Sequence, residues 1–536
     1  MTEREIMTQR RESRVWSAIR ASLPTPAETS LVSGSALLTV LSFPDFDLWF
    51  LAWISLTPLL IVIARSVTTR RAFVAGWLWG TIFFYGTCWW LTYPMIHYAH
   101  ISAWLAYPLM LLPILLVALF PAMCCAFAPR LIARFGMGAL ILIPFLWISL
   151  DWLRYVVTGQ VWNAIGYSQA FHPMMIQTAR WGGIYSVSLL ILVSNAAIAL
   201  FLIRRRLLMP IVCILTVGVV LIAASGVLRP HSRSMRLISR DSAITMIGIQ
   251  PNVPMDVTGD DAQMNLLLER HLAFTRTALQ DLQAKSAGGD LPRLVIWPES
   301  PMNFSYSRDP HLRQVVGDFA RENHTSILLN SLEPALDGGD QNSAVMVNQQ
   351  GAMAARYDKI RLMPFGEYVP LPRWLPGASS VRGIVGEFTP GSSYTLMPLG
   401  ALRVGVFICI EAAHPGIARS FTNEGADVLI NISNDGYLGP TPVMRQHLAN
   451  AIFRAVENDR DLVRVTNTGT TAFISSAGQT FDATSGFQEA TRTWTISKNN
   501  KGTTFYSRHG DAFVYGCVLI SLGFVAASFM KRRFVQ

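Results

Sequence analysis

Eight apolar runs constrain the fold of this 536-residue chain more than any other feature. A helix needs about 20 mostly apolar residues to cross a bilayer, and each run is close to that length. Seven runs precede residue 230, although the first two are short and interrupted by polar residues or proline. The sequence therefore predicts a multi-span α-helical membrane domain of about eight helices, over residues 29–46, 48–64, 72–95, 102–127, 137–157, 183–203, 208–228 and 511–530.

The charges between these runs predict their orientation. Basic residues lie before the first run, in every second loop and after the last run, whereas the alternate loops are acidic, histidine-bearing or largely neutral. Because basic loops stay on the cytoplasmic side, we expect both termini in the cytoplasm. The long segment before the last run then lies outside the cytoplasmic membrane, which in a Gram-negative bacterium means the periplasm. The net charge of +10 thus indicates topology rather than nucleic-acid binding.

The predicted organisation has five parts. They are a basic cytoplasmic tail (1–28), a membrane domain of seven helices (29–230), an extracytoplasmic domain (231–505), a C-terminal transmembrane helix (511–530) and a cytoplasmic tail (531–536). The extracytoplasmic part alternates strand-like and helix-like segments, which predicts an α/β domain with mixed sheets.

Cys409 is the one cysteine of the chain's six that lies in this α/β part. The apolar, β-branched run 404–408 predicts a buried strand that ends at Cys409, and residues 416–423 can form a helix. A thiol at such a junction is held rigidly, and the N–H groups of the next turn face whatever reacts there. Cys409 is therefore a candidate nucleophile; the alternative is a buried core cysteine.

A carboxylate and an amine also follow strand-like segments, at Glu299 and Lys359. Only a few per cent of a free thiol is ionised at neutral pH, so a neighbouring base increases its reactivity. A cation can stabilise both the thiolate and the oxyanion formed when sulfur attacks a carbonyl. These residue types predict Glu299 as the general base and Lys359 as the oxyanion-stabilising cation. A Cys–His pair using His414 or His447 is the alternative.

Three motifs, in this order, resemble the Glu–Lys–Cys triad of the nitrilase superfamily: WPES at 297–300, YDKIRLMPFGEYVP at 357–370 and ICIEAAHP at 408–415. With the surrounding apolar runs, the chain resembles the membrane branch of that superfamily, the apolipoprotein N-acyltransferases. Further blocks carry the resemblance over nearly the whole chain, namely LRYVVTGQVWNAIGYSQ, GIQPNVP, the long segment 429–478 that begins LINISNDGYLGP, and the closing apolar run.

This resemblance implies a nitrilase-like α/β domain folded as a four-layer αββα sandwich, and a two-step acyl transfer. Cys409 would take an acyl chain from a phospholipid as a thioester. It would then pass that chain to the α-amine of the N-terminal S-diacylglyceryl-cysteine of a lipoprotein, the last step of lipoprotein maturation. Glu367 matches a second glutamate that helps to organise the site, and Glu411 matches one just after the nucleophile.

The resemblance also sets the expected partners and location. They are a phospholipid acyl donor, a diacylglyceryl lipoprotein acceptor and the lipid bilayer of the bacterial cytoplasmic (inner) membrane. No nucleic acid is expected, and we expect a monomer. The sequence has no Cys/His ligand cluster and no glycine-rich phosphate loop, so neither metal nor cofactor is expected.

Some positions depart from the family pattern. Ile410 stands where an aromatic residue is usual, Tyr437-Leu438 where a Trp-Phe pair is usual, and residues 256–259 where a tryptophan is expected. The proline- and glycine-rich stretch 361–390 is predicted to be a lid against lipid, the alternative being an ordinary surface loop. Its candidate apolar residues are Phe365, Trp374 and Leu375.

Three other functions stay open at this stage. A membrane-tethered, nitrilase-type amidase that hydrolyses small amides would keep the triad and use water as the acceptor. A non-enzymatic assembly partner would not need Cys409. A transporter would fit the number of spans, but the membrane runs hold few charges apart from Asp151 and Arg154, which argues against an ion path. That pair either neutralises itself at the membrane edge or forms a contact surface.

Overall fold

The chain folds, in a computed structural model, into two compact units. The first unit comprises 1–169, 184–228 and 511–536, and the second comprises 170–183 and 229–510. The second unit thus takes in a short segment of the predicted membrane domain. The structure describes residues 22–66, 68–206, 208–225, 243–255, 261–285, 291–302, 304–336, 338–369, 387–498 and 502–530.

The described part of the first unit is helical. Proline and glycine divide several of the apolar runs, so that the run at 102–127 becomes two helices that meet at 42°. Helix α9 begins in the segment 170–183 of the second unit and continues along the chain into the first. Its backbone is not helical at Gly182 and Gly183. The helices are α1 (Pro26–Leu41), α2 (Ala52–Ser55), α3 (Thr57–Arg65), α4 (Thr69–Cys88), α5 (Thr92–His97), α6 (Ala103–Val117), α7 (Leu119–Phe135), α8 (Ile143–Thr158), α9 (Ala179–Arg204) and α10 (Leu208–Ser225).

Three described helical segments are long and apolar enough to cross a membrane: Met137–Thr158, Ala179–Arg204 and Ala512–Phe529. The bent pair α6–α7 would make a fourth, and Trp49–Arg65 and Leu208–Ala224 are shorter apolar helices. The described residues therefore hold three or four segments of sufficient length and composition. The total of eight spans stays a prediction.

Several polar side chains inside the first unit are hydrogen-bonded to one another or to the backbone. The guanidinium of Arg154 donates from Nε to Asp151 Oδ1 at 2.8 Å and from Nη1 to the carbonyl oxygen of Trp162 at 3.0 Å. The amide of Asn195 accepts from the N–H groups of Leu56 and Thr57. An unpaired polar group in an apolar interior is costly, so these bonds allow the residues to be buried.

Two six-stranded mixed sheets form the core of the second unit. The first has the order β12-β1-β2-β3-β4-β5 and the second has the order β11-β10-β9-β8-β7-β6. Strands β1–β3 and β7–β9 run parallel within their sheets. The strands are β1 (Ala243–Gln250), β2 (Arg293–Ile296), β3 (Ser326–Pro334), β4 (Asp340–Val347), β5 (Met353–Asp358), β6 (Leu396–Leu399), β7 (Leu402–Ile408), β8 (Val428–Ser433), β9 (Leu462–Thr466), β10 (Ala472–Ile474), β11 (Thr480–Phe481) and β12 (Ala490–Ser497).

The sheets pack face to face, with helices on their outer faces. Gly248 of β1 lies so close to β9 that a Cβ there would be 3.0 Å from Val465 Cγ2. Leu272 and Leu312, which lie in the helices that follow β1 and β2, pack on the buried side chains of β1, β2 and β3. Phe421 packs against Gly405 of β7. The layers are therefore helix–sheet–sheet–helix, with α11 (Asp261–Lys285) and α12 (Pro310–Glu322) on one side, and α13 (Pro415–Asn423) and α14 (Val443–Asn458) on the other.

Two helices complete the described chain. They are α15 (Phe505–His509), in the second unit, and α16 (Ala512–Phe529), in the first. The α/β architecture predicted for the segment before the last apolar run is confirmed. Glu299, Lys359, Cys409 and Asn434 lie just after the ends of β2, β5, β7 and β8, respectively.

Candidate active site

Cys409 lies directly after β7, at the start of a 3₁₀ helix that runs from Cys409 to Ala413. Its φ is +50°, a left-handed conformation that costs a non-glycine residue about 1–3 kcal/mol. Neighbouring bonds hold this turn: Asn431 Nδ2 donates to the carbonyl oxygen of Phe407 at 3.1 Å, and the Ile408 N–H donates to Glu411 Oε2 at 2.8 Å. The predicted strand is confirmed, and the half-buried thiol projects from a strained, fixed turn.

Lys359, which follows β5, sits between two carboxylates. Its Nζ is 3.2 Å from Glu299 Oε1 and 2.8 Å from Glu367 Oε1. Asn342 Nδ2 donates to the same two oxygens, at 2.9 and 2.7 Å respectively. Asn330 Nδ2 in turn donates to Asn342 Oδ1 at 2.7 Å. The ammonium and both carboxylates are therefore fixed as one cluster, in which the Lys359 side chain is only 1 % exposed.

The second oxygen of each carboxylate accepts a backbone N–H. Glu299 Oε2 accepts from Asn434, which follows β8, at 3.0 Å. Glu367 Oε2 accepts from Met363 at 2.7 Å. Both carboxylates are consequently oriented by three hydrogen bonds each, and Glu299 joins the ends of the two sheets.

The charges of this cluster set the protonation states. Burial opposes the charge of Lys359, but Glu299 and Glu367 outweigh burial and raise the pKa of the ammonium well above its ordinary value. Burial raises the pKa of the Cys409 thiol, and the Glu299 carboxylate raises it further, against the opposing effect of Lys359. The resting pair is therefore a charged lysine and a neutral thiol, which needs a base in order to react.

Glu411 forms a buried clamp between two parts of the site. It accepts from Tyr357 Oη, the Ile360 N–H and the Ile408 N–H, each at 2.8 Å, and from the Arg361 N–H at 3.0 Å. Burial raises the pKa of Glu411 to about 7, against the effect of these hydrogen bonds. The clamp ties the end of β7 to the chain around Lys359, so Glu411 positions the site.

We expect Glu411→Gln to lower the free energy of unfolding by about 1–3 kcal/mol, because its NH₂ group must face a buried donor whichever way the amide turns. Chemical or thermal unfolding of the purified protein measures the change. Glu322→Gln, at an exposed position at the end of α12, is the matched control and should leave stability unchanged. Equal stability of Glu411→Gln and wild type would contradict the clamp.

The alternative scheme would pair the Cys409 thiol with His414 or His447. His447 places Nε2 2.9 Å from the carbonyl oxygen of Cys409 and Nδ1 2.8 Å from Asp435 Oδ1. Both of its nitrogens are therefore engaged away from the thiol. Burial lowers the pKa of His414 to about 3. The geometry favours Glu299 as the base.

The predicted lid is described only in part. Phe365 is half-exposed, with a φ of +58°, and its carbonyl oxygen accepts from Tyr437 Oη at 3.3 Å. Trp374 and Leu375 lie outside the described residues, as do 256–259. Ile410, which stands where the family usually has an aromatic residue, is buried, with 6 % of its surface exposed. The lid stays a prediction.

The sequence interpretation missed three asparagines: Asn342, whose amide contacts both carboxylates, Asn330, which holds Asn342, and Asn434, whose backbone N–H donates to Glu299. For Asn330 and Asn342 the available signal was an amide side chain within a predicted strand, since a buried polar group requires a partner. Among the described residues, no group of three or more His, Cys, Asp or Glu side chains could hold a metal ion.

Two family models match the chain. Residues 35–197 match the apolipoprotein N-acyltransferase N-terminal domain, and residues 292–503 match the carbon-nitrogen hydrolase model. The second match contains all five predicted site residues: Glu299, Lys359, Glu367, Cys409 and Glu411.

Curated relatives match over most of their length. An apolipoprotein N-acyltransferase of Geobacter metallireducens is 31 % identical over 510 residues, which cover 93 % of this chain and 94 % of that protein. One from Allorhizobium ampelinum is 31 % identical over 427 residues, covering 77 % of each. Among solved structures, Saccharomyces cerevisiae Nit3 of the nitrilase superfamily is 17 % identical, with a TM-score of 0.36, and the match covers 48 % of this chain and 90 % of that one.

Proposed function

The chain belongs to the apolipoprotein N-acyltransferase family, and we propose that Glu299, Lys359 and Cys409 carry out its acyl transfer. The protein is an acyltransferase of lipoprotein biosynthesis, with phospholipid and lipoprotein substrates. The observation that supports the residue assignment is the Lys359 ammonium, buried between Glu299 and Glu367 at the strand ends beside Cys409.

In the first step Glu299 accepts the thiol proton of Cys409 while the sulfur attacks the ester carbonyl carbon of a phospholipid. The C–S bond forms, and the negative charge on the carbonyl oxygen is stabilised by the Lys359 ammonium. As the intermediate collapses, the C–O bond breaks. Glu299 returns the proton to the departing oxygen, which releases a lysophospholipid and leaves an acyl thioester.

In the second step the neutral α-amine of a diacylglyceryl-cysteine attacks the thioester carbon. The C–N bond forms, Glu299 takes the proton of the amine, and Lys359 again faces the oxyanion. The C–S bond then breaks and the sulfur regains a proton from Glu299. Water would compete with the amine, which favours a site that opens into the bilayer.

We extend the proposal to the topology. The alternation of basic loops supports eight spans, a catalytic domain at 231–505 on the periplasmic side of the inner membrane, and both termini in the cytoplasm. The enzyme would work as a monomer.

The stretch 361–390 would act as a lid against lipid. Replacing Trp374 and Leu375 with alanine should change turnover with phospholipid; unchanged turnover would contradict the lid.

Intact-protein mass spectrometry tests the proposed first step. Purified protein incubated with phospholipid alone should gain the mass of one fatty acyl group, and hydroxylamine should remove it because the bond is a thioester. Cys409→Ala is the matched control and should gain nothing. A folded wild-type protein that gains no acyl group from any phospholipid would contradict the proposal and favour a membrane-tethered amidase, the activity class of the carbon-nitrogen hydrolase match.

A further inference from the structure

Three buried side chains form a charged network next to the nucleophile: His447 of α14, Asp435 after β8 and Arg464 of β9. Their side chains are 3 %, 2 % and 0 % exposed. Arg464 Nη2 donates to Asp435 Oδ2 at 2.9 Å and to Oδ1 at 3.1 Å. Asp435 Oδ1 also lies 2.8 Å from His447 Nδ1. The proposed acyl transfer has no step for any of the three.

Both nitrogens of the His447 ring face acceptors. Burial opposes the charge of Asp435, but Arg464 and His447 lower the pKa of its carboxyl group below the ordinary range, so it accepts only. The carbonyl oxygen of Cys409, 2.9 Å from Nε2, also accepts only. Both bonds form together when the ring carries a proton on each nitrogen.

The bond to the Cys409 carbonyl oxygen has a consequence for the next N–H group. The C=O of Cys409 and the N–H of Ile410 belong to one planar trans peptide, so they point in opposite directions. Holding the oxygen against His447 fixes the direction of that N–H. Ile410 also lies in the first turn of the 3₁₀ helix, where N–H groups have no partner inside the helix.

We propose that His447 is a positioning residue that, by donating to the Cys409 carbonyl oxygen, aims the Ile410 N–H at the oxyanion formed on the acyl carbon. The proposal rests on the proposed acyl transfer. In this arrangement Lys359 supplies one donor to the oxyanion and the Cys409–Ile410 peptide supplies the other. Asp435 and Arg464 hold the ring in the orientation that the peptide requires.

Two substitutions of His447 separate its two bonds. A glutamine amide nitrogen reaches about the place of Nε2, so His447→Gln keeps the donor to the Cys409 carbonyl. An asparagine amide nitrogen reaches about the place of Nδ1, so His447→Asn keeps only the bond to Asp435. Since losing an oxyanion donor slows a reaction by about 10²–10³-fold, we expect a misdirected donor in His447→Asn to slow acylation of Cys409 by about 10- to 100-fold. His447→Gln should stay within about fivefold of wild type.

Alkylation of Cys409 by iodoacetamide, followed at the peptide level by mass spectrometry, provides the second measurement. Alkylation forms no oxyanion, so its rate in His447→Asn should stay within about twofold of wild type. Acylation and alkylation slowed together would indicate a displaced thiol and overturn the proposal. Faster acylation by His447→Asn than by His447→Gln, or equal rates in both, would also overturn it.

Asp435→Asn serves if His447→Asn does not fold. It removes the charge that holds the His447 ring through Nδ1, so acylation should slow by about tenfold, whereas alkylation should not slow, because Asp435 raises the pKa of the Cys409 thiol. Unchanged acylation would overturn the role of His447. Failure of the proposed function is a separate result, because the wild-type protein itself would then form no acyl adduct.

Discussion

Lys359→Met is expected to slow acylation of Cys409 by about 10²–10³-fold, the usual effect of removing one donor to an oxyanion. It should also lower the free energy of unfolding by about 3–5 kcal/mol, since removing one partner of a buried ion pair leaves uncompensated charge. Glu299 Oε1 and Glu367 Oε1 would then keep only one shared hydrogen-bond donor, the amide nitrogen of Asn342. Adduct formation measured by mass spectrometry gives the rate, and chemical unfolding gives the stability.

A second substitution separates charge balance from catalysis. Lys359→Met/Glu367→Gln restores the net charge of the cluster, because one carboxylate leaves with the ammonium. We expect it to recover about half or more of the lost stability and none of the lost acylation rate. A single Lys359→Met variant that acylates Cys409 at nearly the wild-type rate would contradict the role of the cation.

The raised pKa of Lys359 also predicts how this stability depends on pH. A cation whose pKa is higher in the folded protein than in the unfolded chain stabilises the fold fully below the unfolded pKa. That contribution is lost as the pH rises from the ordinary lysine value of 10.5 through the pKa of the folded protein. The stability difference between wild type and Lys359→Met should therefore stay constant between about pH 7 and 9 and shrink in stronger alkali.

Local patterns were enough to predict the junction of strand and helix that carries Cys409. The apolar run 404–408 predicted a strand that ends at Cys409, and β7 spans Leu402–Ile408. The helix expected at 416–423 is observed as α13, Pro415–Asn423. Both signals arise from side chains close together in the sequence, with the helical or strand period that burial of one face requires.

The parts that escaped prediction depend on contacts between distant residues. Asn342 meets Asn330 because β3 and β4 pair. It also meets Glu299, which follows β2, because β2, β3 and β4 are neighbours in one sheet. The left-handed conformation of Cys409 is likewise held by His447, 38 positions away. In the membrane part, counting apolar residues could not show where proline and glycine divide a run. Residue types at strand ends therefore predicted the reacting groups, whereas their orienting partners required the fold.

Glu299→Gln is expected to slow acylation by about 10²–10⁴-fold, the range over which general bases contribute. The variant keeps the size of the side chain and an acceptor for Lys359 and Asn342, but it cannot take the thiol proton. Its rate should rise with pH as hydroxide removes that proton instead, and removal of the Glu299 charge lowers the pKa of Cys409 in the same direction. A folded Glu299→Gln protein with a rate equal to wild type at neutral pH would show that another group is the base.

Glu367→Gln is the matched control for this experiment, because Glu367 Oε1 contacts the same two donors, Lys359 Nζ and Asn342 Nδ2. Its substitution removes the same charge from the same ammonium, so any effect of charge alone must occur in both variants. The two residues differ at Oε2. Glu367 Oε2 accepts from the Met363 N–H, whereas Glu299 Oε2 accepts from the N–H of Asn434, which follows β8. We therefore expect the loss in Glu367→Gln to be at least about tenfold smaller. Equal losses would mean that the two carboxylates share the proton as one unit, and the assignment of the base to Glu299 alone would be wrong.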